Sequence, residues 1–166
     1  MTLQNMAAKI IVLVGLPGSG KSTLRDRLVD EHVGDDFVII SSDEEIENLC
    51  ADEGITYTEG FDKFIGKATH IMKQKFREAV NNGNNIIWDQ TNLTPKKRRG
   101  ILKQVPDDYF KEAISVEVTS IQLRERLDRR ERETGKHIPP HVVENMAKSY
   151  LPPTKAEGFD NVTIVK

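Results

Sequence analysis

The chain is poor in several things at once, and each shortage removes a class of protein. It has one cysteine, Cys50, in 166 residues. An internal disulfide is therefore impossible, which suits a reducing cytosol and leaves Cys50 as a small packing residue. No apolar run approaches the roughly 20 residues that cross a bilayer. The first eight residues lack the basic start and apolar stretch of an export signal and read as a frayed lead-in. Charge of one sign is also missing: 24 basic against 26 acidic residues give a net charge of −2. No basic coat for nucleic acid exists, so attraction to such a partner must be local. No low-complexity linker, composition break or repeat divides the chain, and its length fits one domain, residues 1–166.

What is present is a stretch around which the rest is arranged: Lys9 to Thr23, KIIVLVGLPGSGKST. An apolar run enters a glycine-rich turn, and a helical pattern follows, with G-x-x-x-x-G-K-S at the junction. Phosphate oxygens need several converging N–H donors, and glycines let the backbone curl closely enough to supply them. The expected cradle is Gly15, Pro17, Gly18, Ser19 and Gly20, with the start of the following helix aimed at the same spot. Lys21 is the expected contact to the β- and γ-phosphates, Ser22 the Mg²⁺ ligand and Thr23 a support for the turn.

Apolar runs of strand length recur at Ile10–Val14, Phe37–Ile40, Asn85–Trp88, Ala113–Val118 and Val162–Val165, with helical patterns between them. Five such strands predict a mostly parallel sheet covered by helices on both faces. Ligands in such a sheet lie beyond the carboxyl ends of the strands, so the residues there are the ones to inspect. The helix Lys21–Glu31 and the strongly periodic segment Phe61–Asn82 read as packing elements. Residues 51–60, between Cys50 and the long helix, read as a polar loop without chemistry of its own.

Asp43 is the first carboxylate past the second strand. It is the candidate general base for a hydroxyl that is to be phosphorylated, and it or Ser42 is also placed to cap the helix Glu44–Cys50. Asp89 ends the third strand in the manner of the acidic residue that completes an Mg²⁺ shell, and is also placed to orient a substrate hydroxyl. Thr91 and Asn92 after it suit phosphate or ribose, or a turn before Pro95. Lys96, Lys97, Arg98 and Arg99 form a solvated helix start or, alternatively, a contact to a nucleic-acid backbone. The helix Ile121–Glu133 interleaves five arginines with acids. That pattern is an exposed paired helix, or a mobile lid over about residues 124–140, with Arg132 and Arg129 as the arginines expected to face the site. The four histidines show no metal spacing and read as structural or surface residues.

The ordered set GLPGSGKST, the strand ending before Asp43, IIWDQTNLTPKKRR, RERLDRRERETGKHIP and PPTKAEGFDNVTIV resembles the polynucleotide kinase-type P-loop kinases over roughly Lys9 to Val165. The resemblance implies an α/β three-layer P-loop fold with a helical lid, ATP and Mg²⁺, and transfer of phosphate to a hydroxyl, the 5′-OH of a DNA or RNA end in the named members. It puts the base on Asp43, the D-x-T-N stretch on Asp89, Thr91 and Asn92, and the lid arginine on Arg132 or Arg129. One departure stands out. The phage-type enzymes carry an arginine one helical turn past the base, and this chain has Ile46 there among Glu44, Glu45 and Glu47. That acidic rim keeps other acceptors open: a hydroxymethylated base, a nucleoside or a small metabolite. The lower half also resembles the kinase-like domain of a nuclear RNA-binding scaffold protein not taken to be an enzyme, which keeps an RNA-binding module without transfer in view.

Overall fold

The computed structural model describes residues 8–32 and 34–166; apart from Ala8, the lead-in falls outside them. Five strands, β1 (Lys9–Val14), β2 (Val38–Ile40), β3 (Ile86–Asp89), β4 (Phe110–Val116) and β5 (Asn161–Val165), pair in the order β2-β3-β1-β4-β5. Every pairing is parallel, so the sheet is wholly rather than mostly parallel. Its connections carry α1 (Lys21–Glu31), α2 (Ser42–Glu53), α3 (Tyr57–Asn81), α4 (Pro95–Leu102), α5 (Ser120–Thr134) and α6 (Pro140–Ser149), with a 3-10 turn at Lys155–Glu157.

The pleat of β1 sorts its side chains into two cores. Ile10, Val12 and Val14 join Met72 and Phe76 of α3 and Ile101 of α4 on one face, whereas Ile11 and Leu13 join Leu24 of α1 on the other. Each such aliphatic side chain, fully buried, contributes about 1.5–3 kcal/mol. Because β1 is the middle strand, buried on both sides, the turn that leaves it is held on a rigid support.

Residues 51–60 are not a loop. Glu53 still belongs to α2, Gly54 ends that helix in the left-handed conformation (φ 70°), and a Thr56–Glu59 capping box starts α3 at Tyr57. The apolar period first becomes visible at Phe61, a turn later than the cap. Gly60 of α3 crosses α2 at Cys50, where a Cβ would collide with Cys50 Sγ, so Cys50 is the packing residue expected of it. The cap of α2 is Ser41, whose hydroxyl accepts from the Glu44 N–H, which leaves the side chain of Asp43 free for other partners.

The run of four cations at the start of α4 also resolves differently. Arg98 is wholly buried, donating to Glu157 Oε1 at 2.7 Å and to the Asn92 carbonyl at 2.9 Å. It belongs neither to a solvated face nor to a nucleic-acid contact.

Candidate active site

The turn between β1 and α1 has a shape that only its glycines permit. Gly18 and Gly20 sit at φ 81° and 102°, where an L side chain is strained. A Cβ on Gly15 would stand 2.7 Å from Ser19 Oγ and 2.9 Å from the Val116 carbonyl. Gly15 also donates its N–H to the Thr91 carbonyl at 3.0 Å, which ties the turn to the segment after β3. Two observations fit this cradle to phosphate. No side chain caps the start of α1, so its first N–H groups have no side-chain partner, and the buried Ser19 hydroxyl likewise lacks one.

A cleft of about 810 Å³ opens at the carboxyl ends of the strands, lined among others by the turn, Ser22, Thr23, Asp43, Asp89, Thr91, Arg129 and Arg130. Lys21 lies almost wholly buried at its floor, its Nζ 3.1 Å from the Leu16 carbonyl. Burial lowers its pKa to about 8; Asp89 and Asp43 pull the other way, and Arg130 and Lys136 add to the lowering. Asp89 is buried too, and burial raises its carboxyl above the ordinary range against the opposing pull of Lys21 and Arg25. Arg25 Nη1 stands 3.1 Å from Asp89 Oδ2 and 3.1 Å from Glu44 Oε2.

Asp43 stands across the cleft in the first turn of α2. Tyr57 Oη donates to its Oδ1 at 2.6 Å and Lys136 Nζ approaches its Oδ2 at 3.3 Å. Burial would raise this carboxyl, but the Lys136 charge and the Tyr57 hydrogen bond outweigh it and hold the pKa below its ordinary value.

Two expected site residues lie elsewhere. Asn92 is 1% exposed with φ 48°, and its Nδ2 donates to the Leu13 carbonyl at 2.8 Å. It locks the post-β3 segment under β1 and does not reach the cleft. Arg132 is exposed and outside the cleft lining, which takes Arg126, Arg129 and Arg130 from α5. Helical spacing explains this: residues 126, 129 and 130 share a face at i, i+3 and i+4, and 132 turns away. Arg126 Nη1 reaches the Ser19 carbonyl at 2.9 Å, so α5 touches the glycine turn directly.

Tyr57, Lys136 and Arg25 escape a reading by motif. Arg25 carries a faint signal, one turn beyond Lys21 on the same helix, but Tyr57 and Lys136 are distant in sequence from each other and from Asp43. Among the described residues no cluster of three metal-binding side chains occurs, and no helix is long and apolar enough to cross a membrane.

This is the fold of the P-loop kinases, a wholly parallel five-stranded sheet whose central strand feeds a phosphate cradle. The chain belongs to the AAA_33 family of AAA domains, whose pattern matches residues 10–153. Among solved structures it superposes on a candidate kinase from Chloroflexus aurantiacus with TM-score 0.71, at 17% identity over 96% of this chain and 85% of that one. It also superposes on the Pnkp1/Rnl/Hen1 RNA repair complex with TM-score 0.67, at 23% identity over 86% of this chain and 44% of the other. Among curated proteins it is 22% identical to human heterogeneous nuclear ribonucleoprotein U-like protein 2 over 161 residues. The match takes in 93% of this chain but only 21% of that protein, so the chain spans about a fifth of the relative's length.

Proposed function

We propose that the chain moves the γ-phosphate of ATP onto a hydroxyl group, and that this hydroxyl is the 5′-OH of a DNA or RNA end. One juxtaposition carries the reading: Lys21, Asp89 and Asp43 come from three different elements and line one cleft. Lys21 and the first turn of α1 receive the β- and γ-phosphates. The hydroxyl oxygen attacks the γ-phosphorus, its proton passes to Asp43, and the bond to the β-phosphate oxygen breaks to release ADP. Arg129 and Arg130 on α5, a lid in this reading, face the charge that develops on the transferred group, in place of Arg132.

Ser22 and Asp89 are the residues that would hold Mg²⁺. One hydroxyl and one carboxylate suit an ion that takes its remaining ligands from phosphate and water. When bound, the ion supplies positive charge against the phosphoryl oxygens.

For a nucleic-acid end the support is the likeness to the RNA repair complex and the cations Arg129 and Arg130 on the cleft wall. The acidic rim is partly neutralised, Glu44 by Arg25 at 3.1 Å and Glu47 by Lys136 at 3.5 Å. A second reading, transfer to a nucleoside, a small metabolite or a hydroxymethylated base, is favoured by Ile46, which is wholly buried and offers no cation to a backbone phosphate. The test is incubation with labelled ATP and Mg²⁺ against 5′-OH DNA and RNA oligonucleotides, nucleosides and hydroxymethylated DNA. Label on the oligonucleotides, lost in Asp43→Asn while nucleotide still binds, is the expected result. Label only on small hydroxyls selects the second reading. Salt-sensitive RNA binding without label on any acceptor points to an RNA-binding module without transfer.

A further inference from the structure

We infer that Lys136 is a positioning residue for Asp43, set in place by the bonds that join the end of the arginine helix to Thr58 of α3; the inference rests on the kinase reading above. Between residues 124 and 150 Lys136 is the sole buried side chain. A lysine is among the costliest side chains to bury, so its environment has to supply partners. It does so on every side. The ammonium lies 3.3 Å from Asp43 Oδ2, 3.5 Å from Glu47 Oε1 and 4.0 Å from the centre of the Tyr57 ring, a cation–π arrangement. Tyr57 in turn donates to the other oxygen of Asp43, so the carboxylate is gripped at both oxygens by groups from two different elements.

The backbone around Lys136 is fixed as firmly. Gly135 ends α5 at φ 72°, its carbonyl accepts from Thr58 Oγ1 at 2.8 Å, and His137 donates its N–H to the same Thr58 oxygen at 3.0 Å. His137 Nδ1 meets Glu131 at 2.8 Å. Thr58 sits next to Tyr57 in the first turn of α3, so one two-residue corner of α3 anchors both the lysine's backbone and the ring beneath its ammonium. Rotation of α5 about this corner would leave Lys136 on Asp43. The chain thereby holds its acceptor-side carboxylate in one orientation from both oxygens.

The groups that face Asp43 are Tyr57 from α3, Lys136 and Arg130 from α5 and the segment after it, Glu47 from α2, and, at longer range, Lys21 and Asp89. Of the cations, Lys136 is the one in contact with it, so Lys136→Met should move Asp43 most, with a smaller upward move of Lys21. With the acceptor that the wild type phosphorylates, Lys136→Met should lower kcat about tenfold to a hundredfold, the usual effect of a small misplacement. The KM for ATP should stay within about twofold, and the acid limb of the kcat profile should move to higher pH. Lys136→Arg, which keeps a cation able to stack on Tyr57, should restore most of the rate. An unchanged kcat overturns the proposal, and so does a parallel loss of kcat, ATP affinity and thermal stability that arginine fails to rescue. If the wild type labels no acceptor, the kinase reading has failed and this proposal is decided separately by carboxyl-carbon NMR titration of Asp43. A titration shifted to higher pH in Lys136→Met supports it, and an unshifted one overturns it.

Discussion

Arg98 grips Glu157 at two points, Nε on Oε1 at 2.7 Å and Nη2 on Oε2 at 3.1 Å, with no part of the arginine exposed to solvent. The pair joins α4 to the 3-10 turn before β5, and through the Asn92 carbonyl it also steadies the segment that follows Asp89. Removing one partner strands the other charge inside the protein, which costs about 3–5 kcal/mol. Glu157→Gln should therefore lower stability by that amount in a urea titration, and the double change Arg98→Met with Glu157→Leu should cost less than either single change. The pair also sets an acid limit. Burial alone would raise the Glu157 carboxyl, but Arg98 holds it below the ordinary value, so its contribution is present above a pH of about 4.5 and is lost as pH falls through the lowered folded value.

Lys21 titrates within reach of ordinary buffers. Burial lowers it to about 8, and phosphate bound beside it should raise it again. Nucleotide binding at pH 8.5 should accordingly take up about three quarters of a proton, read as the buffer dependence of the binding enthalpy in calorimetry, and uptake should fall nearly to zero at pH 6.5. In the free protein the sign is opposite to that of a paired lysine. The unfolded chain binds more protons than the folded one between pH 8 and 10.5, so this group adds stability as pH rises through that window.

Asp89 is one source of that lysine's residual basicity. Asp89→Asn should push the Lys21 pKa below 8 and move the proton uptake to lower pH, visible in the same calorimetric series. The Mg²⁺ concentration for half-maximal activity should rise about tenfold to a hundredfold if Asp89 stands by the ion.

Gly18→Ala tests the cradle and its cover together. The residue sits at φ 81°, and its Cβ would meet Leu127 Cδ2 of α5 at 3.0 Å. The strained backbone should cost about 1–2 kcal/mol in thermal unfolding. Nucleotide affinity should fall by at least about tenfold, since the N–H groups of the turn lose their convergence. Gly20→Ala, at φ 102° with only the Arg126 tip nearby, should reproduce the strain without displacing α5.

The sheet and the residues at its carboxyl edge are legible in the sequence because their signals are local. Each strand is an apolar run with a turn after it, and the cradle is one contiguous motif, so Lys21, Ser22, Asp43 and Asp89 can be placed before any coordinates exist. The contacts that hold Asp43 are not local. Tyr57 and Lys136 are 79 residues apart and meet only because α3 and the end of α5 are bonded through Thr58. Arg98 misleads for a related reason: four cations in a row look solvated, and the carboxylate that buries one of them lies 59 residues further on. Asn92 belongs to the same class, since its amide is taken by the Leu13 carbonyl 79 residues earlier. For Arg132 the correction is angular, a matter of which helical face meets the turn.

The uncapped start of α1 has a bearing on how the free protein should be handled. A helix whose opening turn lacks a capping side chain takes that stabilisation from whatever anion settles there. Sulfate or inorganic phosphate in a storage buffer should thus raise the melting temperature and at the same time act as a competitor of ATP. Affinities measured in such buffers will understate the site by the fraction of it the buffer holds.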